Sequence, residues 1–204
     1  MNLFFDRRAK AKILHDDFHA AENLAEELLS FLPDTATRPI VFVCIGTDRS
    51  TGDSLGPLVG TLLEEKQLQS FSVYGTLEEP IHAVNLDQKL KEINAKHFNP
   101  YIIGIDACLG RIKNIGVIQV ANGPVKPGAG VNKELPEVGN IHITGIVNVS
   151  GFMEFFVLQN TRLSLVMKMA KTIANGIFLA NQGYSQKRWN DLNWDQEQGK
   201  INKA

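Results

Sequence analysis

A chain of 204 residues, 44% of them hydrophobic, has material for one sizeable core, and a formal net charge of -1 gives no strongly basic surface for nucleic acid. Its 2 cysteines exclude a disulfide framework, and charges scattered through the first 18 residues exclude a secretory signal there. With no later apolar run read as long enough to cross a bilayer, a cytoplasmic protein without membrane partners is expected.

Residues 16–31 place Phe18, Leu24, Leu28, Leu29 and Phe31 at helical spacing, which predicts an amphipathic helix. Pro33 and Pro39 bracket a linker, so 1–39 is set apart from an α/β domain over 40–183. The run 40–45 is continuously apolar and reads as a strand buried on both faces. Gly46 ends it. A polar loop over 47–52 follows, and Asp53 opens a helical rhythm of Leu55, Leu58, Val59, Leu62 and Leu63. Asp53 therefore stands where a helix N-cap belongs, beyond the carboxyl end of a strand.

A second strand is predicted over 71–76, a loop over 77–81 with Glu78, Glu79 and Pro80, and a helix over 84–95. Asn99-Pro100 introduces a third strand over 101–105, ended by Asp106. A strand over 115–120 follows so closely that an antiparallel hairpin with the third is open. Residues 121–139, rich in Gly and Pro, read either as a functional loop or as a solvated excursion. A last strand over 140–149, a helix capped by Ser150 and reaching 159, and a long helix over 161–179 complete the domain. The polar segment 184–204 is expected to be loosely held, with Trp189 and Trp194 seeking a groove or a neighbouring subunit. Strands alternating with helices predict a three-layer α/β/α domain on a mostly parallel sheet.

Phosphate-loop and dinucleotide fingerprints are absent after Ile45, and there is no G-x-S-x-G, C-x-x-C or H-E-x-x-H, so no cofactor is expected. What remains is a pair of carboxyls, Asp53 and Asp106, on strands that can be neighbours. Two carboxyls at close range hold one proton between them, and such a pair can activate water and protonate a leaving amine. Each also has a plain structural reading, Asp53 as a helix cap and Asp106 as a turn residue. Asp53, Glu79 and His142 together offer the mixed oxygen and nitrogen ligands that suit a divalent metal, but their spacing is not diagnostic and no metal site is expected. Thr47, Asp48, Glu79, His82, Asn140 and His142 are expected around the pair as substrate-binding residues.

The stretches VFVCIGTDRSTGDSLGP (41–57), GTLEEPIHAVNL (75–86), IIGIDACLGR (102–111) and VGNIHITGIVNVSGF (138–152) resemble the YyaC family of sporulation proteins. That family is similar to the spore germination protease, which degrades small acid-soluble spore proteins, and more distantly to the hydrogenase maturation proteases. The resemblance implies a phosphorylase/hydrolase-like fold and a peptidase of sporulation, with a protein or peptide substrate. By motif, the two essential aspartates of the germination protease fall on Asp53, in Gly52-Asp53-Ser54-Leu55-Gly56-Pro57, and on Asp106, in Ile105-Asp106-Ala107-Cys108. The apolar N-terminal helix and the tryptophan-bearing tail lean toward a homodimer or larger homo-oligomer.

Overall fold

The computed structural model describes residues 11–33, 38–128 and 135–201. In chain order its elements are β1 (Ala11–Leu14), α1 (Ala20–Phe31), β2 (Ile40–Cys44), α2 (Leu55–Glu65), β3 (Phe71–Tyr74), α3 (Leu86–Lys96), β4 (Tyr101–Gly110), β5 (Val117–Asn122), β6 (Ile141–Val149), α4 (Glu154–Gln159) and α5 (Leu163–Ile201). They build a 6-stranded sheet in the order β1-β5-β6-β4-β2-β3. The block β3, β2, β4 and β6 is parallel, while β5 runs antiparallel to both β6 and β1. The α/β class is as the alternation of strands and helices predicts.

Alternation along β2 divides the core. Ile40, Phe42 and Cys44 point into the larger cluster, with Leu24 and Leu28 of α1, Leu55, Val59 and Leu63 of α2, and Val166, Met169 and Ile173 of α5. Val41, Val43 and the following Ile45 point into a smaller cluster with Leu86 and Ile93 of α3 and with Val125 and Val138. A strand covered on both faces has no solvated side, which is why 40–45 is apolar without interruption. Cys44 is wholly buried, a small core hydrophobe whose thiol pKa burial drives upward.

The second face is thin. Among the described residues the helix in its cluster is α3; the remainder is roofed by the Gly- and Pro-rich segment, whose Val125 and Val138 form an antiparallel bridge over Gly104. That segment is therefore no solvated excursion in its described parts, and residues 129–134 lie outside them.

Several elements differ from the sequence reading. Segment 115–120 does not pair with the third strand: β6 lies between β5 and β4. β1 was not foreseen; it adds an antiparallel edge through Ala11↔Val120 to Leu14↔Val117. β4 runs on through Gly110, so Asp106 is inside a strand and not at its end. Ser150 caps no helix; α4 starts after Met153, which holds a left-handed backbone at φ 57. α5 continues through Ile201, so the backbone of the expected tail is helical, while Trp189 and Trp194 lie outside the described side chains. By length and composition Leu163–Gln186 is apolar enough to cross a membrane, which corrects the expectation that no run is. Its inward residues Val166, Met169, Ala170, Ile173 and Ile177 are spent on the core against α1 and α2.

The sheet also sets the stage for a site. β2 stops at Cys44, opposite Ile105, whereas β4 and β6 stay paired as far as Gly110 and Val149. The next β4 residue, Asp106, thus emerges where its β2 neighbour has left the sheet. A crevice at that step is what an open parallel sheet provides.

Candidate active site

The chain leaving β2 is pinned at each step. Ile45 N–H donates to Ile105 C=O at 2.7 Å and Gly46 N–H to Ile81 C=O at 2.8 Å, so the loop start is held by β4 on one side and by the segment before α3 on the other. Gly46 has φ +145, and a Cβ there would collide with the Asp53 carbonyl oxygen. Only glycine allows so close an approach. The loop then closes on itself: Thr47 N–H donates to Asp53 C=O at 3.1 Å and Ser54 N–H to Ser50 C=O at 3.0 Å. Its outer side is fixed by Gly52 N–H to Leu158 C=O of α4 at 2.9 Å. Ser54, not Asp53, is the N-cap of α2, and no side chain bonds the helix end there. Asp53 is thereby free of the structural duty its position suggested.

Asp53 and Asp106 face one cavity of about 410 Å³. Its walls come from the β2 loop (Ile45, Gly46, Thr47, Arg49, Ser50), the segment before α3 (His82, Ala83, Val84), the roof (Pro127, Gly128, Leu135) and α4 (Phe155, Gln159). The lining is mostly apolar, and the two acids and Ala107 belong to it. Such a mixture of apolar wall and few convergent polar groups is typical of sites for small or extended ligands.

The two carboxyls are not equivalent. Asp106 keeps a little exposure toward the cavity, yet protein crowds it, and burial pushes its pKa well above the ordinary carboxylate range. The charge of Asp53 pushes it further in the same direction, and the Ala107 amide opposes both. Asp53 is also raised by burial, but a hydroxyl, that of Ser50, works against the rise. The pair therefore favours a state with the proton on Asp106 and the charge on Asp53.

Of the other residues expected around the pair, Thr47 and His82 line the cavity. Thr47 Oγ1 accepts from Arg49 N–H at 3.3 Å, and His82 Nδ1 accepts from Val84 N–H at 3.3 Å, which keeps both side chains tied to their own loops. Asp48, Glu79, Asn140 and His142 are not on its walls. Asp48 and Glu79 are exposed. Asn140 Oδ1 accepts from Ile102 N–H at 2.9 Å and so fastens the start of β6 to β4. His142 Nδ1 bonds the Gly123 carbonyl at 2.8 Å at the far end of β5. The set Asp53, Glu79 and His142 is thus not assembled, and among the described residues no group of three or more His, Cys, Asp or Glu is placed to hold a metal ion.

The sequence reading missed Arg49, Ser50, Leu135, Phe155 and Gln159. Arg49 and Ser50 were within reach, since they occupy the same loop as Asp53. The others come from the roof and α4, and no local spacing announces that these meet β2.

Residues 12–176 match the model of a family described as "Protein of unknown function (DUF1256)". A Bacillus subtilis (strain 168) protein, named "Uncharacterized protein YyaC", is 57% identical over 186 residues, 91% of each chain. The crystal structure of a NiFe hydrogenase maturation protease, HycI from Thermococcus kodakarensis KOD1, superposes with a TM-score of 0.47 and 19% identity, over 72% of this chain and 93% of that one.

Proposed function

The chain belongs to the DUF1256 family, and we propose that it is a peptidase in which Asp53 and Asp106 together add water across a peptide bond. One observation carries this reading: two carboxyls from separate elements face a single cavity in unequal surroundings. In the proposed step, ionised Asp53 takes a proton from water, and the water oxygen bonds to the substrate carbonyl carbon. As the carbon–nitrogen bond breaks, protonated Asp106 gives its proton to the leaving nitrogen. The proton gained by Asp53 then returns to Asp106, so the net change is one water consumed per amide cleaved. The resemblance of the motifs around both acids to the germination protease supports the same reading. It also points to a cytoplasmic role in sporulation, with small acid-soluble spore proteins as first candidates for substrate. A homodimer or higher homo-oligomer is the assembly we propose.

The test is direct. Purified protein is incubated with small acid-soluble spore proteins, and products are read by mass spectrometry. New peptide termini should appear with the wild type and be lost, by 100-fold or more, in both Asp53→Asn and Asp106→Asn. A second reading, a peptide-binding module without turnover, is favoured by the exposed apolar rim of Val84 (89% accessible) and Phe155 (48%). Binding by all three proteins with cleavage by none would establish that reading and end the enzymatic one.

A further inference from the structure

Ser50 lines the cavity beside the two acids, and the proposed step gives it no part. It is 5% exposed, and its Oγ is enclosed. That oxygen makes no hydrogen bond of acceptable geometry to any described atom, which sets it apart from other buried side-chain polar atoms of the described residues. Its neighbour four positions away in the chain does have a partner: Ser54 Oγ donates to the Thr51 carbonyl at 2.7 Å. Buried hydroxyls are nearly always satisfied, and an unsatisfied one beside a functional group calls for a reason. The backbone of the turn is fixed by Ser54 N–H to Ser50 C=O at 3.0 Å, so a change of partner falls to the side-chain torsion.

We propose that Ser50 is a positioning residue of the acid pair: its hydroxyl swings to donate to the Asp53 carboxylate, and so fixes Asp53 as the charged member and Asp106 as the proton holder. The proposal rests on the peptidase reading for its purpose but not for its test. No competing acceptor holds the hydroxyl. Its closeness to Asp53 is already felt, because it opposes the rise that burial imposes on that carboxyl. The other charged or titratable groups on the cavity wall are Asp106, Arg49 and His82, and none stands in the turn between Ser50 and Asp53.

Carboxyl-carbon NMR of the purified protein, labelled at aspartate, measures both acids without any substrate. The pair titrates with two midpoints, the lower governed by Asp53 and the upper by Asp106. Ser50→Ala should raise the lower midpoint by about half a unit or more and leave the upper in place, because Asp53 is ionised in both proteins where Asp106 titrates. Ser50→Thr, which keeps the hydroxyl, should restore the lower midpoint. If Ser50 only fills space, removing its hydroxyl admits water, and both midpoints should fall together; that result overturns the proposal, as does an unchanged lower midpoint. Should Ser50→Ala fail to fold, Ser50→Thr and Ser50→Cys decide instead: a wild-type midpoint in the first and a raised one in the second uphold it, and equal midpoints in the two overturn it. Absence of peptide cleavage alongside the expected shift would remove the peptidase reading while leaving the Ser50–Asp53 contact standing.

Discussion

Asp53 and Asp106 carry the same functional group, and their surroundings alone give them different affinities for a proton. Burial raises both, the Asp53 charge raises Asp106 again, and Ser50 holds Asp53 back. The proposed cleavage needs Asp53 ionised and Asp106 protonated. The rate should therefore climb as pH rises through the lower midpoint and fall as it passes the upper one, giving a bell. In Asp106→Asn any residual cleavage should lose the falling limb and keep the rising one. A profile of kcat/KM against pH for both proteins checks this, and a falling limb that survives the substitution would assign it to another group. Both acids were legible in the sequence because each sits in a short motif beside a strand whose start was read correctly, although β4 runs on past Asp106. The remaining polar candidates were not. Asn140 and His142 look like site residues from their neighbourhood in the chain, yet each spends its side chain on the backbone of an adjacent strand. Which acceptor claims a side chain is a tertiary fact that spacing does not carry.

Elements place these residues through two contacts that glycine permits. Gly46 lets the loop fold back on the Asp53 carbonyl, and Gly52 lets α4 approach. A Cβ on Gly52 would stand 2.8 Å from Leu158 Cδ2 and 3.0 Å from the Leu158 carbonyl oxygen, which is itself the acceptor of the Gly52 N–H. Gly52→Ala must turn the Leu158 side chain aside and make its backbone give by a few tenths of an ångström, which disturbs the α4 wall that Phe155 and Gln159 supply. Overpacking of this kind costs about 1–3 kcal/mol. We expect a lowered Tm and at least tenfold weaker peptide binding by calorimetry, with a far-UV spectrum unchanged; wild-type binding would show that α4 does not shape the cavity. α1, α2, α3 and the central strands were readable because each presents a sustained apolar period. β1 was not: a four-residue edge strand, AKIL, amid charges has too few periods to register. The polar end of α5 lacks an apolar stripe for the same kind of reading, and its helical backbone continues from a segment that packs on α1 and α2.

At the scale of the molecule, the sheet forces an acid into a crowded place, and stability should record it. Asp106 has a folded-state pKa above that of the unfolded chain. Its contribution to stability is fully present below the ordinary carboxylate range and is lost as pH rises through the raised pKa, since the unfolded chain releases the proton that the folded one retains. Asp106→Asn cannot titrate. The Tm of the variant minus that of the wild type should therefore grow as pH rises from the ordinary carboxylate range and level off above the upper midpoint, at roughly 2–4 °C per kcal/mol for a chain of this size. Whatever constant offset the amide introduces by packing or hydrogen bonding leaves that slope untouched. Asp53→Asn supplies the control. It removes the neighbouring charge, so Asp106 should titrate lower there and the pH dependence of that variant's stability should end at a lower pH than in the wild type. Melting curves from acid to mildly alkaline pH for the three proteins decide the matter. A gap between wild type and Asp106→Asn that stays flat across that range would mean that Asp106 is not held protonated by the fold. The general acid would then have to be sought among the other groups on the cavity wall.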